Sequence, residues 1–367
     1  MNNTTTPMPT SALPFEFGGF TIPADCRRIF ITAELEPTNG DPRIQPTGFP
    51  DIGPVLYPDP EEKDGLICLI ESEASMANRL EKVCFSNEHE GTLKDIFAGL
   101  PYLRAEKSNE LKTTSTLDGH RIASDFLAKC KADFGTGEKT LAEYIKNELH
   151  MASDGKTMPI AYVPNIFALV CELDTMSLIH GFQISNEQIS FVGLRMPRAL
   201  SACIIGTGCE RVNIPGVKFN VGQVESESGQ AIFQKQRITA KRIEARFSID
   251  VGLLLSLRLV RPDHNGITNK QLQAARVQLL LAIALWKVAA FLDSLKIELS
   301  LRSECKLRLK RGDGFAPKFT CEGGDNPSHG DFPFGTIARA SLAGDNNLIV
   351  RANLPPNRSP LTLIFFQ

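Results

Sequence analysis

The sequence lacks the long apolar runs and the terminal signals of proteins that enter or cross membranes. Among its 367 residues, no uninterrupted apolar stretch reaches the roughly 18 residues that a spanning helix needs. The N-terminal residues show no basic region followed by an apolar one, so they do not form a secretory signal. We expect residues 1–24 to be a flexible polar leader, and we expect no membrane partner.

Paired cysteines are absent as well. The nine cysteines form no Cys-x-x-Cys motif, and most of them lie inside apolar runs. This pattern predicts buried free thiols in the reducing cytoplasm rather than a disulfide framework.

The chain also lacks the residue spacings of common catalytic and metal centres. None of the six histidines lies four residues from another, and no Gly-x-Ser-x-Gly motif occurs. Residues 134–140 (FGTGEKT) resemble the end of a phosphate-binding loop, but Glu138 separates Gly137 from Lys139. We therefore predict no catalytic residue, no metal and no cofactor.

A polar stretch, residues 71–81 (ESEASMANRLE), follows the apolar run 66–70, which predicts a strand that leads into a helix. At 3.6 residues per turn, Ser75 and Arg79 fall near one line, with Asn78 beside them. Small polar side chains and a guanidinium near a helix N-terminus suit an anion. The alternative is an ordinary solvated amphipathic helix.

A second informative stretch, residues 191–206 (FVGLRMPRALSACIIG), places Arg195 and Arg198 on either side of Met196 and Pro197. Paired guanidiniums beside a proline-stiffened turn suit bidentate contacts to phosphate. Two exposed loop arginines without a ligand are the alternative.

The charge is distributed unevenly, although the net charge is only −2. Residues 237–311 hold 15 Lys and Arg against 6 Asp and Glu, a net charge of +9, whereas the remainder carries −11. A basic tract on a nearly neutral chain suggests a surface that faces phosphate. The alternative is a set of ordinary solvated helix and strand faces.

Apolar patterning predicts an α+β domain with helices on one face of an antiparallel sheet. A protruding, glycine-punctuated hairpin is predicted between the strands of its second half. The predicted strands are 28–36, 66–70, 177–182, 200–205, 245–260, 348–350 and 361–366, and the predicted helical regions are 86–158, 163–172 and 272–299.

The order of these stretches resembles the backbone subunit of type I-G (formerly I-U) CRISPR Cascade complexes, a member of the RAMP superfamily. Four stretches between residues 25 and 311 carry the resemblance. They are LIESEASMANRLE (69–81), HRIASDFL (120–127), FVGLRMPRALSACIIG (191–206) and LKIELSLRSECKLRL (295–309). Ala74 and Met76 stand where the family pattern has glutamines.

The resemblance implies a single domain over 1–367, with a modified RRM-like (ferredoxin-like) antiparallel-sheet palm. It implies a helical, finger-like insertion at 86–160 and a β-hairpin thumb at 207–240. The implied function is that of a non-catalytic, cytoplasmic CRISPR RNA-binding backbone subunit. Copies would assemble head to tail along one guide RNA, with other Cascade subunits, and present it for pairing with target DNA in antiviral defence.

The resemblance assigns RNA contact to three groups of residues, and it leaves Glu71 and Glu73 as expected surface residues. The groups are Ser75, Asn78 and Arg79; His120 and Arg121; and Arg195, Met196 and Arg198.

Four further RNA contacts are predicted in or beside the thumb. Met196 and Phe219 are expected to wedge at a kinked nucleotide, and Lys218, Lys241 and Arg242 are added from charge and position. The chain has one Trp, four Tyr and scattered Phe, so it lacks the closely spaced strand aromatics on which sequence-reading RRMs stack bases.

Two other functions remain open at this point. One is a RAMP-type endoribonuclease acting on guide precursor or target RNA. Residues 207–240 contain neither Asp nor His, which disfavours aspartate-dependent cleavage there. The other is a structural subunit that binds only proteins.

Overall fold

The structure, a computed structural model, describes residues 12–46, 53–135, 137–150, 164–184, 194–213, 236–263, 265–302, 305–323, 327–342, 347–354 and 361–364. Its helices are α1 (Glu73–Lys82), α2 (Asp125–Lys129), α3 (Leu141–Glu148), α4 (Asn165–Leu173), α5 (Ser177–His180), α6 (Val251–Ser256), α7 (Lys270–Ser294), α8 (Phe334–Ile337) and α9 (Leu348–Arg351). Its strands are β1 (Phe15–Phe17), β2 (Phe20–Ile22), β3 (Arg28–Pro37), β4 (Arg43–Ile44), β5 (Val55–Pro58), β6 (Leu66–Glu71), β7 (Phe85–Asn87), β8 (Thr92–Leu93), β9 (Leu103–Lys107), β10 (Glu110–Thr114), β11 (Lys131–Asp133), β12 (Glu138–Thr140), β13 (Phe182–Ile184), β14 (Leu194–Met196), β15 (Leu200–Thr207), β16 (Glu210–Asn213), β17 (Gln236–Thr239), β18 (Arg242–Asp250), β19 (Leu299–Arg302), β20 (Cys305–Leu309), β21 (Lys318–Glu322), β22 (Ser328–Asp331) and β23 (Leu361–Ile364).

The largest sheet has the strand order β19-β20-β3-β18-β15-β6-β5, and all its neighbouring strands are antiparallel. Strand β21 also pairs with β3, and β22 pairs with β21. Side chains of β3 alternate between the core and the outer face, with Ile29, Ile31 and Ala33 buried. The predicted α+β class with an antiparallel sheet is confirmed.

Helix α7 lies in the core and is buried on nearly every side, from Ala274 to Leu292. Its length and apolar composition would suffice to cross a membrane, but 94% of its most apolar window is buried inside the protein. The helix therefore has the surroundings of a core helix, as its all-round apolar sequence predicts. All nine cysteines are free thiols and eight of them are buried, which confirms that part of the prediction.

The large sheet curls, as the contacts of a partly buried ion pair between Glu71 and Arg79 show. Glu71, at the end of β6, accepts hydrogen bonds from Ser75 Oγ at 2.6 Å and from Arg79 Nε at 2.7 Å. The same guanidinium donates to the carbonyl of Ser300 in β19 at 3.1 Å. Five strand steps separate β6 from β19, which in a flat sheet would be about 24 Å. The contact is possible because the sheet bends into a half-barrel.

Glu71 is fully buried, so the expectation that it lies on the surface is wrong. Its backbone pairs with Ile204 in the sheet, and this register turns the carboxylate beneath α1. Glu73, two residues later, is exposed as expected.

Three predicted strands are wrong in whole or in part because short apolar runs do not distinguish strands from helices. Residues 177–180 form α5, and residues 348–351 form α9, whose N-cap Asn347 accepts from the amide of Val350 at 3.2 Å. The strand predicted over 245–260 ends at Asp250, whose side chain caps α6.

The helical character predicted for 86–160 is also wrong for the described residues. They contain strands β7 to β12, and α2 and α3 are their only α-helices. Four of these strands join a second sheet with the order β10-β9-β23-β11-β12, in which β23 runs parallel to β9. Strand β9 alternates buried and half-buried side chains, as strands do. The sequence analysis missed this pattern because amphipathic segments nearby indicate helices.

The predicted flexible leader is wrong over residues 12–24. Strands β1 and β2 form a hairpin closed by Gly18 and Gly19, both with positive φ, and Phe17 pairs directly with Phe20. Phe20 packs edge-on against Phe319 at 4.9 Å between ring centroids. A two-glycine turn between alternating apolar residues is a hairpin signal that the sequence carries.

The thumb prediction is only partly covered by the described residues. Strands β16 and β17 pair as the base of a hairpin, and β4 pairs with β17. Residues 214–235, which would form the rest, lie outside the described residues.

Replacing Arg79 with alanine should destabilise the fold, because the buried carboxylate of Glu71 loses its cation. We expect the free energy of unfolding in urea to fall by about 3 kcal/mol. Glu73→Ala, an exposed change on the same helix, should cost less than about 1 kcal/mol. The double variant Glu71→Gln/Arg79→Met should recover most of the loss. An Arg79→Ala protein as stable as wild type would show that the ion pair does not hold the curled sheet.

Candidate functional site

A cleft with a volume of about 330 Å³ opens where three distant segments meet. They are the turn 119–121, the segment 180–183 and the segment 195–198, with Ser201 at the start of β15 completing the wall. Five residues predicted to contact RNA therefore lie in one place, namely His120, Arg121, Arg195, Met196 and Arg198.

The walls of the cleft are held by a close approach of two backbones. Gly181 has a φ of 75°, and a side-chain carbon there would lie 2.5 Å from the carbonyl oxygen of Met196. Only glycine tolerates this contact and this conformation together. The segment after Met196 is fixed at Ala199, whose amide donates to Ile179 at 2.9 Å and whose carbonyl accepts from Asp250 at 2.7 Å.

The cleft offers two guanidiniums that pair with no other side chain among the residues the structure describes. Arg195 and Arg198 are exposed, and within the described part of the chain neither has a hydrogen-bond or ion-pair partner. His120 is 85% exposed, with its Nδ1 3.4 Å from a carboxylate oxygen of Asp118. Unpaired guanidiniums at a shared opening suit an anion with several acceptor oxygens.

Arg121 has a different role from the one predicted. Its Nε and Nη2 donate to the two carboxylate oxygens of Glu81 at 2.7 and 3.1 Å, and Nη1 donates to the carbonyls of Gly119 and Gly181. The side chain is buried, and the backbone is left-handed with a φ of 56°. Its guanidinium joins α1 to the cleft wall, and its charge is already paired with Glu81.

Met196 likewise does not fit the wedge predicted for it. Its side chain is only 3% exposed and packs in the core beside the cleft. The second proposed wedge, Phe219, and Lys218 lie outside the described residues.

The first group of predicted residues lies apart from the cleft. Asn78 is exposed on α1, whereas Ser75 and Arg79 are bound to Glu71. Helix α1 is linked to the cleft by the ion pair between Glu81 of α1 and Arg121 of the cleft wall.

The basic tract does not form one surface. Lys241 pairs with Glu62 at 2.9 Å, and Arg242 pairs with Glu34 and Glu244 at 3.3 and 2.7 Å. Other basic residues of the tract are also paired, Arg246 and Lys306 with acids inside the tract and the rest with acids outside it. They are Arg246, Arg261, Arg276, Lys306, Arg308 and Lys310. Acids that are distant in the sequence neutralise much of the tract's positive charge, and the sequence alone does not reveal these pairs.

Below the cleft lies a buried polar group that the sequence did not single out. His180 lines the cleft, and its Nε2 is 3.0 Å from Nζ of Lys287 in α7. Burial and the charge of Lys287, with smaller effects from Arg121 and Arg198, hold the pKa of His180 well below its ordinary value. The ring is therefore neutral at physiological pH. A lysine in the otherwise apolar stretch 279–292 of α7 was the available signal.

A neighbouring carboxyl belongs to the same buried layer. Asp174, which ends α4, accepts from the hydroxyl of Ser177, and burial raises the pKa of Asp174. The hydroxyl of Ser177 also accepts from the amide of Ile122 at 3.3 Å, so this layer fixes the turn that carries Arg121.

Residues 29–211 match the model of the family described as CRISPR-associated protein GSU0053. Over this segment the chain is similar to a CRISPR-associated protein family. The matched segment contains α1 and every residue that lines the cleft. The match supports a role in CRISPR-mediated defence, in which the protein works with CRISPR RNA and other CRISPR-associated proteins. The comparison with curated proteins finds no match.

The lowered pKa of His180 predicts that acid weakens the fold. The unfolded chain takes up a proton on this ring near its ordinary pKa, whereas the folded protein excludes it. The stabilisation is therefore present above about pH 6.5 and is lost below it, by about 1 kcal/mol at pH 5.5.

The comparison is between wild type and the variant His180→Gln, whose side chain does not ionise. The advantage of wild type over this variant in free energy of unfolding should shrink between pH 7.5 and 5.5. Glu81 and Asp174, whose pKa values burial raises, act in the opposite direction in both proteins and cancel in the comparison. A pH-independent difference would contradict the prediction.

Proposed function

We propose that the chain is a non-catalytic RNA-binding backbone subunit of a type I-G (formerly I-U) CRISPR Cascade complex. In this proposal, copies assemble head to tail along a guide RNA in the cytoplasm and present it for pairing with target DNA. The observation that carries the proposal is the cleft, where His120, Arg195 and Arg198 meet from distant segments. The family match supports the CRISPR setting.

The topology supports the RRM-like part of the proposal. Four strands of the large sheet lie in the order β20-β3-β18-β15, and along the chain the elements follow as β3, α1, β15, β18, α7 and β20. This is a β-α-β-β-α-β arrangement, as in ferredoxin-like folds. Helix α1 packs on β15, so both helices of the unit lie on the inner side of the sheet.

The outer face of strand β18 favours recognition of the RNA backbone over recognition of bases. The side chains on the outer face of β18 are Arg242, Glu244, Arg246 and Ser248, and Glu244 is buried there by its ion pairs with Arg242 and Arg246. Sequence-reading RRMs present aromatic rings at such positions to stack bases. A subunit that must accept any guide sequence needs contacts to phosphate and sugar, which carry no sequence information.

Replacing Arg195 or Arg198 with alanine should weaken RNA binding without changing sequence preference. We expect the affinity for a guide-length single-stranded RNA to fall about tenfold for each variant, because a charged hydrogen bond to phosphate is removed. The slope of log affinity against log salt should become shallower by about 0.7 for each phosphate that the variant no longer neutralises. Fluorescence anisotropy with two unrelated RNA sequences measures both quantities.

Arg339→Ala is the matched control, since Arg339 is an exposed arginine outside the cleft. It should bind RNA like wild type. Wild-type protein with no affinity for guide-length RNA would overturn the proposal. A variant that altered the preference between the two sequences would show that these arginines do not contact phosphate.

The endoribonuclease alternative is favoured by one observation, the exposed imidazole of His120 beside two arginines. A histidine so placed can act as a general base. We expect end-labelled RNA to keep its length during prolonged incubation with the protein, with or without divalent metal, as judged on denaturing gels. Shortening of the RNA that His120→Ala abolishes would establish the nuclease instead.

A further inference from the structure

We infer that His180 donates a hydrogen bond from Nδ1 to a phosphate oxygen of RNA seated in the cleft, and that Lys287 holds the ring in the tautomer that does so. The inference rests on the proposed function and adds to it a residue pair that joins the core helix to the bound strand.

The contact with Lys287 fixes the position of the ring proton. A lysine ammonium has three donors and no acceptor, so the nitrogen it contacts must accept. His180 Nε2 is that nitrogen, at 3.0 Å from Nζ. In the neutral ring the single proton then lies on Nδ1.

The protonated nitrogen has no partner within the described residues. Nδ1 of His180 is shielded from water and makes no hydrogen bond, although the residue lines the cleft. Buried donors in proteins are nearly always satisfied, so an unmatched one beside a cleft calls for an acceptor from a ligand.

The charges around the ring select the kind of acceptor. Arg198 and Arg121 lie close enough to lower the pKa of His180, and Arg195 lines the same cleft. Among the described side chains of the cleft, two guanidiniums and one ring N–H can only donate, whereas Gln183 and Ser201 can donate or accept. A ligand that satisfies them together must carry several acceptor oxygens and negative charge, as a phosphodiester does.

Two substitutions of His180 test the roles of its two ring nitrogens separately. Glutamine reaches the position of Nε2 and can still accept from Lys287, but it has no donor at the position of Nδ1. Asparagine carries an amide N–H near the position of Nδ1 and leaves Lys287 without its acceptor. A purely structural role would make both variants fail together, or make RNA binding follow stability.

We expect His180→Gln to bind single-stranded RNA about tenfold more weakly than wild type, and His180→Asn to bind within about threefold. Thermal unfolding of each variant confirms that the folded protein is measured. A folded His180→Gln that binds like wild type would overturn the inference. The proposed function would survive that result if Arg195→Ala still weakened binding, so the two failures are distinguishable.

A measurement on the unsubstituted protein covers the case in which neither variant folds. In protein labelled with ¹⁵N-histidine, the spectrum should show His180 protonated at Nδ1, with this proton shifting downfield when RNA saturates the protein. An Nδ1 signal unchanged by RNA, as expected for a buried water partner, would overturn the inference.

The source of the phosphate is tested with three probes. RNA bearing a 5′-hydroxyl should shift the His180 signal as strongly as RNA bearing a 5′-phosphate, because an internal phosphodiester is the ligand. Inorganic phosphate at millimolar concentration should not reproduce the shift. A shift that required a 5′-phosphate, or that inorganic phosphate alone produced, would overturn the assignment to the RNA backbone.

Discussion

The structure depends on the need to cover a helix that is apolar on every side. Helix α7 can be kept from water only if protein surrounds it. Phe247 of the curled sheet packs against Phe291 of α7, and helices α1, α5, α6, α8 and α9 all contact it. A flat sheet would cover one side alone. The Glu71–Arg79 pair, which reaches from β6 to β19, lies where the bent sheet approaches itself. The burial of α7 and the curl of the sheet therefore depend on each other.

The same constraint brings polar chemistry to the cleft. A helix enclosed on all sides must satisfy its own polar residues internally, since each unmet donor costs free energy. Arg276 of α7 bonds to Glu172 and to backbone carbonyls, and Gln278 bonds to the carbonyl of Ala12. Within the described residues, Lys287 forms its side-chain hydrogen bond with the ring of His180, which has a second nitrogen. The interior of the fold therefore determines the protonation pattern at a surface opening.

The spacing of apolar residues made many helices and strands of this fold predictable. Contacts between residues far apart in the sequence were not predictable in this way. Strand β3 and helix α7 follow from their apolar spacing, which local geometry fixes. The resemblance assigned RNA contact to His120 and to Arg195 and Arg198 in two separate groups, and the structure brings these three residues to one cleft. The same role was expected of Arg121, which bonds instead to a glutamate 40 residues away. Ion pairs form between side chains that only the tertiary fold brings together, so nothing local distinguishes a buried arginine from an exposed one.

The second sheet has a consequence for how the chain is made. Strand β23 (Leu361–Ile364) lies between β9 and β11, so this sheet stays in two halves until residue 361 has been synthesised. The strands on either side are complete by residue 140, and at roughly 5 to 20 residues per second the gap remains open for about 10 to 45 seconds of translation. Throughout that time two unpaired strand edges face each other on the nascent chain, where a foreign strand can add to them. The ribosome-bound intermediate therefore exposes strand edges that the finished fold covers.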